Sequence, residues 1–152
     1  MIRVEGKAFD AAAELVEFQA AHRSSGAIVM FIGTVRGMSE GAPIEGMTLE
    51  HYPGMTEKAL AEIEAEALKR WPLDASLIIH RHGRLQPGDD IVLVITASAH
   101  RQAAFEACSF LMDWLKTKAP FWKLEESAGK SRWVEAKDHD DAAAGRWDRR
   151  QH

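Results

Sequence analysis

Two lysines and a histidine–arginine pair lie where the predicted structure changes from one element to the next. His100 and Arg101 fall at the junction between a predicted strand and a predicted helix, and Lys116 lies near the other end of that helix. Lys123 follows the helix-breaking Pro120, so the two lysines could approach one pocket from two elements. The free backbone N–H groups and the dipole at a helix N-terminus favour bound anions. This pattern indicates an anionic ligand such as a phosphate, although helix-end lysines can equally be solvated partners of the dipole.

Two glycine-rich motifs carry weaker chemical signals. Residues 37–41 match the G-x-S-x-G pattern of a hydrolase nucleophile at Ser39, but Pro43 stands where a helix should begin. Residues 41–46 have the glycine spacing of a phosphate loop, with Met47 in place of the required lysine. A serine hydrolase is therefore kept only as an alternative.

The histidines and the single cysteine do not predict a metal site. His80 and His82 lie on one face of a predicted strand and could supply two zinc ligands, but no third or fourth ligand is evident. Surface or hydrogen-bonded histidines are the favoured interpretation. Cys108 is predicted on the apolar face of a helix, which favours a buried and inert thiol. It cannot form an internal disulfide, which fits a reducing compartment.

Composition predicts one globular domain over residues 1–152, with 46% hydrophobic and 28% charged residues. The formal charge of -4 gives no electrostatic basis for binding nucleic acid. No apolar run approaches the ~18 residues that a membrane span needs. The N-terminal Met1–Glu5 lacks the pattern of a secretory signal, so a cytoplasmic protein is expected.

Hydrophobic periodicity predicts the elements that must position these residues. Helices are predicted over residues 10–23, 56–70 and 101–118, and strands over 27–32, 47–52, 76–85, 91–98 and around Trp122 and Trp133. The buried helix faces are predicted to carry Leu60, Ile63, Ala67 and Leu68 in the second helix and Phe105, Cys108, Met112 and Leu115 in the third. We expect the apolar strand at 27–32 to be covered on both faces, residues 37–43 to form a flexible loop, and the strands at 76–85 and 91–98 to form an antiparallel hairpin. The order indicates an α+β fold, and the charged tail at 138–152 is expected to be loosely ordered.

Several segments, in order and with similar spacing over residues 26–136, resemble the large-subunit family of molybdopterin synthase, molybdenum cofactor biosynthesis protein E. The matching segments are Phe31–Arg36, Leu49–Met55, His80–Arg81 with Gly83, Ala99–Arg101, Ala119–Lys123 and Trp133–Ala136. A set of this length is far more specific than any lone short motif.

The resemblance implies an α/β-hammerhead-type fold with a mixed or antiparallel sheet and flanking helices. It implies a homodimer that binds one small ubiquitin-like sulfur-carrier subunit per copy, which makes a heterotetramer. The carrier's C-terminal Gly-Gly thiocarboxylate would deliver sulfur to cyclic pyranopterin monophosphate and form the dithiolene of molybdopterin, a step of molybdenum cofactor biosynthesis. No metal or redox cofactor is implied for this sulfurtransferase reaction. A scaffold that binds the carrier or a phosphorylated ligand without turnover is the alternative.

The resemblance also implies roles for individual residues. Lys116 and Lys123 match the catalytic lysines of the family, and Arg36, which could come from the neighbouring subunit, matches a position that holds the anionic substrate together with His100 and Arg101. The other implied substrate-binding residues are Thr34, Val35, Leu124 and Glu125.

Overall fold

Residues 1–134 and 138–148 are described in a computed structural model of the chain. Helices cover α1 (Ala11–Ala21), α2 (Met55–Arg70), α3 (Arg101–Lys118) and α4 (Asp138–Gly145). Strands cover β1 (Ile2–Glu5), β2 (Ala27–Thr34), β3 (Met38–Ser39), β4 (Ala42–Pro43), β5 (Gly46–His51), β6 (Leu73–Arg81), β7 (Gly83–Leu85), β8 (Asp90–Ser98), β9 (Phe121–Ser127) and β10 (Lys130–Val134). The α+β prediction is confirmed.

The strands form two four-stranded sheets. Sheet I has the order β1-β6-β8-β2, in which only the β1–β6 pair is parallel. Sheet II has the order β10-β9-β5-β7 and is antiparallel throughout. The predicted flexible loop at residues 37–43 instead contains the small β3–β4 hairpin.

Sheet I lies between helices on both faces. One face packs on α2 and α3 through a core that includes Leu60, Ile78 and Phe110, each with no exposed surface. The opposite face packs on α1 through Phe18 and residues such as Ile79. Each fully buried apolar side chain of this size stabilises the fold by about 1.5–3 kcal/mol relative to an exposed one. The central strands are therefore fixed in position, and so are the side chains at their ends.

The predicted strand at 76–85 is divided between the two sheets. β6 pairs antiparallel with β8, as the predicted hairpin requires, whereas β7 pairs with β5 of sheet II. Gly83 adopts a φ of +90°, a conformation that side-chain-bearing residues rarely adopt, and this turns the chain from one sheet to the other. The turn brings the end of β6 beside sheet II.

The helix predictions are confirmed with small differences at their ends. Asp10 caps α1 by accepting a hydrogen bond from the Ala13 backbone N–H at 3.0 Å. α3 ends before Pro120, which cannot continue a helix. The predicted burial of two side chains is wrong: Leu68 is 47% exposed and Phe105 is 60% exposed. No described element covers those parts of the two helix faces.

The prediction that the first apolar strand is covered on both faces is confirmed only in part: Val29 packs against the core beside α2 and α3, and Ile28 and Ile32 pack against the core beside α1. β2 lies at the edge of sheet I, and Met30 and Phe31 are 37% and 40% exposed. β6 and β8 are the strands with continuous buried runs, because they lie in the middle of sheet I where helices pack on both faces. An apolar edge strand is a template for pairing with another chain.

The tail differs from the loose segment expected from its charge. α4 packs on α3, and Trp147 is 4% exposed with its indole Nε1 donating to the Asp113 carboxylate at 2.7 Å. The buried side chains of Ala144 and Trp147 supply apolar contact that the charged residues of this segment do not. Residues 149–152 of the expected tail lie outside the described residues.

Candidate functional site

A cavity of about 440 Å³ opens where the ends of β2, β6 and α3 meet sheet II. It is lined by apolar side chains from both sheets and from α3, with polar groups at a few positions. The polar and charged lining residues are Thr34, Arg36, His80, Lys116, Lys123, Glu125 and Asp140. A mostly apolar cavity with a few convergent polar groups is the usual form of a small-molecule site.

The two predicted catalytic lysines both line this cavity. Lys116 lies in the last turn of α3, and Lys123 extends from β9 after the chain turns at Ala119–Pro120. Burial lowers the pKa of Lys123, and the nearby Lys116 and Arg36 lower it further, while Glu125 and Asp140 act in the opposite direction. Neither lysine ammonium makes a hydrogen bond or ion pair with another residue in the described part of the chain.

The end of β2 and the segment that follows it bring three more predicted residues to the cavity. Thr34, Val35 and Arg36 all line it. The Val35 N–H donates to the Asp89 carbonyl at 2.9 Å, and the Val35 carbonyl accepts from the Gly88 N–H at 2.9 Å. These bonds fix the backbone beside the exposed Arg36 guanidinium. Arg36 thus shares a cavity with the lysines of its own chain, and a neighbouring subunit is not needed to place it there.

Glu125 is the acidic member of the predicted set that reaches the cavity. Its side chain is buried, at 8% exposure, and its carboxylate lies 3.8 Å from the Arg132 guanidinium. Arg132 also contacts the Glu40 carboxylate at 3.2 Å, which joins the β3–β4 hairpin to sheet II. Glu125 therefore connects the cavity wall to the hairpin beside it.

Three predicted binding residues do not reach this cavity. Leu124 lies between Lys123 and Glu125 on β9, and successive side chains of a strand point to opposite faces of the sheet. His100 and Arg101 lie at the start of α3, which places them about 22 Å along the helix from Lys116. Within one copy, His100 and Arg101 are therefore distant from the lysines, and the side chain of Leu124 points away from the cavity face of β9.

Sequence reasoning missed two polar residues of the cavity. His80 is not a surface residue: it is 5% exposed, and its ring stacks on Phe121 with centroids 3.8 Å apart. Its hydrogen-bonded state was among the predicted alternatives, and its Nδ1 lies 2.8 Å from the Arg81 carbonyl oxygen. Asp140 reaches the cavity from α4. The apolar run before His80 indicated its burial, whereas no sequence signal placed Asp140.

The weaker motifs do not form sites. Ser39 belongs to β3 and is followed by β4 rather than a helix. His82 stacks on His51 with centroids 4.0 Å apart, away from the Phe121 stack of His80. Within residues 1–134 and 138–148, no group of three or more potential ligands is placed to hold a metal ion. Cys108 is 5% exposed, and burial raises the pKa of its thiol to about 11, as expected of an inert thiol.

No helix in the described part of the chain is long and apolar enough to cross a membrane.

Comparison with known proteins identifies close relatives. The family described as "MoaE protein" matches residues 4–118. The molybdopterin synthase catalytic subunit of Pseudomonas aeruginosa is 57% identical over 147 residues, which cover 97% of this chain and 98% of that protein. The crystal structure of a molybdopterin biosynthesis MoaE protein from Burkholderia ambifaria has a TM-score of 0.82 at 50% identity and covers 97% of both chains. Molybdopterin synthase from Staphylococcus aureus has a TM-score of 0.80 at 30% identity, with 88% of this chain and 96% of that chain covered.

Proposed function

This chain belongs to the MoaE protein family, and from that premise we propose that it works as the catalytic subunit of a molybdopterin synthase. It transfers sulfur from the thiocarboxylated C-terminus of a small ubiquitin-like carrier subunit to cyclic pyranopterin monophosphate. Two such transfers form the dithiolene of molybdopterin. The sulfur comes from the partner, which agrees with a cysteine that is buried and whose thiol pKa is raised to about 11 by burial.

The observation that carries the proposal is the convergence of Lys116 and Lys123 in one partly desolvated cavity. An ammonium group held in such a place stabilises negative charge that develops on an attacked carbonyl or pterin oxygen more strongly than it would in water. The lowered pKa of Lys123 also makes its neutral amine more accessible for moving a proton. We assign both lysines as catalytic residues.

The anionic part of the substrate is assigned to Arg36, with Thr34 and Val35 beside it on the same fixed backbone. An exposed guanidinium offers planar, bidentate recognition of a phosphate. Glu125 is assigned to the wall formed by β9, where its buried carboxylate can accept hydrogen bonds and favours the protonated form of Lys123.

We assign His100 and Arg101 to the cavity of the second copy in the homodimer. β2 is an apolar edge strand, and a two-fold axis through its centre would pair it antiparallel with β2 of the other copy. Thr34 of one copy would then face the other copy's Ala27, whose own neighbour on β8 is Ser98. The partner copy's Ser98 would lie about 10 Å from Thr34, across two strand spacings. His100 and Arg101 follow Ser98 by two and three residues in that copy.

Gly26 supports this arrangement. A Cβ built at Gly26 would lie 2.2 Å from the Ala99 carbonyl oxygen, so only glycine allows the start of β2 to approach the segment before His100. The close approach holds His100 and Arg101 beside the end of the strand that would pair. An anion could then be held by Arg36 of one copy and by the histidine and arginine of the other.

Two other assignments follow from the proposed activity. The carrier subunit is the protein partner, because its C-terminal tail must reach the lysines. A cytoplasmic location is proposed because the reaction uses a thiocarboxylate and the chain has a single free thiol.

The direct test is a turnover assay with purified protein, thiocarboxylated carrier and cyclic pyranopterin monophosphate. We expect dithiolene product with the thiocarboxylated carrier and none with a carrier that ends in an ordinary carboxylate. Failure to form product, despite a confirmed complex with a competent carrier, would leave a non-catalytic scaffold as the better account.

A further inference from the structure

His80 lies in the cavity but has no part in the sulfur transfer described above. It is near the end of β6, where its backbone pairs with Val4 on β1 and Val92 on β8. Its side chain is 5% exposed, and that small exposed surface belongs to the cavity lining. A polar ring this deeply buried needs a reason beyond filling space, because an apolar side chain would fill it at lower cost.

Two contacts fix the imidazole. The ring stacks on Phe121 with centroids 3.8 Å apart and an angle of 17° between the planes. The Nδ1 atom lies 2.8 Å from the Arg81 carbonyl oxygen, which can only accept, so Nδ1 must carry the proton. In the neutral ring, Nε2 is then a hydrogen-bond acceptor in a set direction.

The surroundings keep the ring neutral. Burial lowers the pKa of His80 to about 4, and the charges of Lys116, Lys123 and His82 act in the same direction against the hydrogen bond to Arg81. At physiological pH the ring therefore carries no positive charge. It cannot be another binding group for an anion, which distinguishes it from the cations around it.

The other polar groups of the cavity make a neutral acceptor useful. Lysine and arginine side chains donate hydrogen bonds and have no acceptor atoms. The Glu125 carboxylate faces Arg132, and both Glu125 and Asp140 act electrostatically on Lys123. A ligand with N–H groups along one edge and a phosphate at the other end needs cations at one position and an acceptor at another.

We propose that His80 is a specificity-determining residue, whose Nε2 accepts a hydrogen bond from an N–H group of the reduced pterin ring. Arg36 and the lysines hold the phosphate and the reacting atoms, and His80 distinguishes a pterin from other phosphorylated ligands. This inference rests on the proposed function, since it names a contact within that same site.

The test is equilibrium binding of cyclic pyranopterin monophosphate, without carrier, to the wild-type protein and to His80→Phe and His80→Gln. Phenylalanine keeps the stacking on Phe121 and removes the acceptor, whereas the glutamine amide oxygen can replace Nε2. We expect His80→Phe to weaken pterin binding about tenfold and His80→Gln to recover part of it. Inorganic phosphate should bind both variants as it binds wild type.

His82→Phe is the matched control, because His82 stacks on His51 and does not line the cavity. It should leave pterin binding unchanged. Equal weakening of pterin and phosphate binding by His80→Phe would show a structural role and overturn the proposal, as would wild-type affinity for the pterin.

A second measurement uses only the wild-type protein, so it does not depend on whether a variant folds. In ¹⁵N-histidine NMR of the wild-type protein, the His80 Nε2 resonance should move when the pterin is added and stay fixed with inorganic phosphate. A resonance that ignores the pterin overturns the proposal. Product formation by the wild type, together with an unmoved resonance, rejects the role of His80 while the sulfur-transfer function stands. A wild type that binds the pterin and yields no product rejects that function instead.

Discussion

At the scale of single residues, the cavity holds a lysine that works against the stability of the fold. Burial and two neighbouring cations lower the pKa of Lys123, while the carboxylates of Glu125 and Asp140 offset part of this effect. Natural sites often retain such groups because catalysis requires them. Under its proposed catalytic role, Lys123 is a place where function and stability oppose each other.

Replacement of Lys123 by methionine should stabilise the protein at pH 7. A lysine whose pKa is lower in the folded state reduces the free energy of unfolding, and the whole reduction is present at any pH below that folded-state pKa. The reduction disappears as the pH rises through the unfolded-state pKa of 10.5. We expect calorimetry to show a Tm higher than wild type by a few degrees at pH 7 and nearly the same Tm at pH 11.

Lys58→Met is the matched control, because the Lys58 side chain is 68% exposed on α2. It should give no gain in Tm at either pH. A gain for Lys123→Met that is as large at pH 11 as at pH 7 would contradict the electrostatic origin and point to apolar packing alone.

At the scale of elements, α4 is attached to the rest of the protein through one side chain more than any other. Trp147 makes edge-on contacts with Trp71 and Phe110, with ring centroids 5.5 Å and 5.7 Å away. The Arg70 guanidinium donates to the Trp147 carbonyl at 2.6 Å. This attachment holds Asp140 at the cavity wall.

Trp147→Ala should reduce the free energy of unfolding by about 3–5 kcal/mol, the usual cost of removing a buried aromatic side chain. It should also raise amide hydrogen exchange across α4, because the helix loses its main apolar contact. Trp133→Ala is the control, since Trp133 is 60% exposed, and we expect it to cost less than about 1 kcal/mol in urea unfolding. Equal costs for the two substitutions would show that α4 is not held in this way.

The elements also show what the sequence could and could not predict. α3 was placed at residues 101–118 because its apolar period and Pro120 are local signals. The burial of β2 was predicted correctly only in part, because an apolar run does not show whether its strand lies in the middle or at the edge of the sheet. The sequence predicted one strand over 76–85 because its residue pattern is continuous through Gly83. In the structure, the positive φ at Gly83 ends β6 and turns the chain into β7 of the other sheet.

The same reasoning separates the site residues. Lys116 and Lys123 were recognised from their motif, and their flanking elements bring them together within one chain. Leu124 was carried over with its neighbours, although strand alternation sends it to the opposite face. His100 and Arg101 lie at the end of α3 far from the lysines. Their proposed use by the second copy could not be predicted, because a sequence motif does not record which copy of a dimer uses a residue.

At the scale of the whole molecule, the proposed site belongs to two copies of the chain. If His100 and Arg101 act in the partner's cavity, then a Lys116→Ala copy and an Arg101→Ala copy have complementary defects. A hybrid dimer of the two has one intact site and one site that carries both changes. Each homodimer has two defective sites.

We therefore expect low activity from each variant alone and recovery after subunits are mixed by co-expression. Random pairing makes half of the dimers hybrids, each with one of two sites intact, so the mixture should recover about a quarter of the wild-type rate. A mixture no more active than its parents would show that Arg101 serves the cavity of its own copy or no cavity. Full wild-type activity of Arg101→Ala would remove the residue from the site.

The assay that tests the central claim most directly is single-turnover sulfur transfer from thiocarboxylated carrier to cyclic pyranopterin monophosphate, comparing wild type with Lys116→Ala and Lys123→Ala. The matched control is Lys118→Ala, two residues from Lys116. The Lys118 ammonium lies 4.5 Å from the Trp114 ring centroid, and Lys118 does not line the cavity. We predict a loss of about 10²–10³ in rate for each cavity lysine, as for other preorganised charge-stabilising groups, and a near wild-type rate for Lys118→Ala. Wild-type rates in folded, carrier-binding Lys116→Ala and Lys123→Ala proteins would contradict the assignment of this cavity as the site of sulfur transfer.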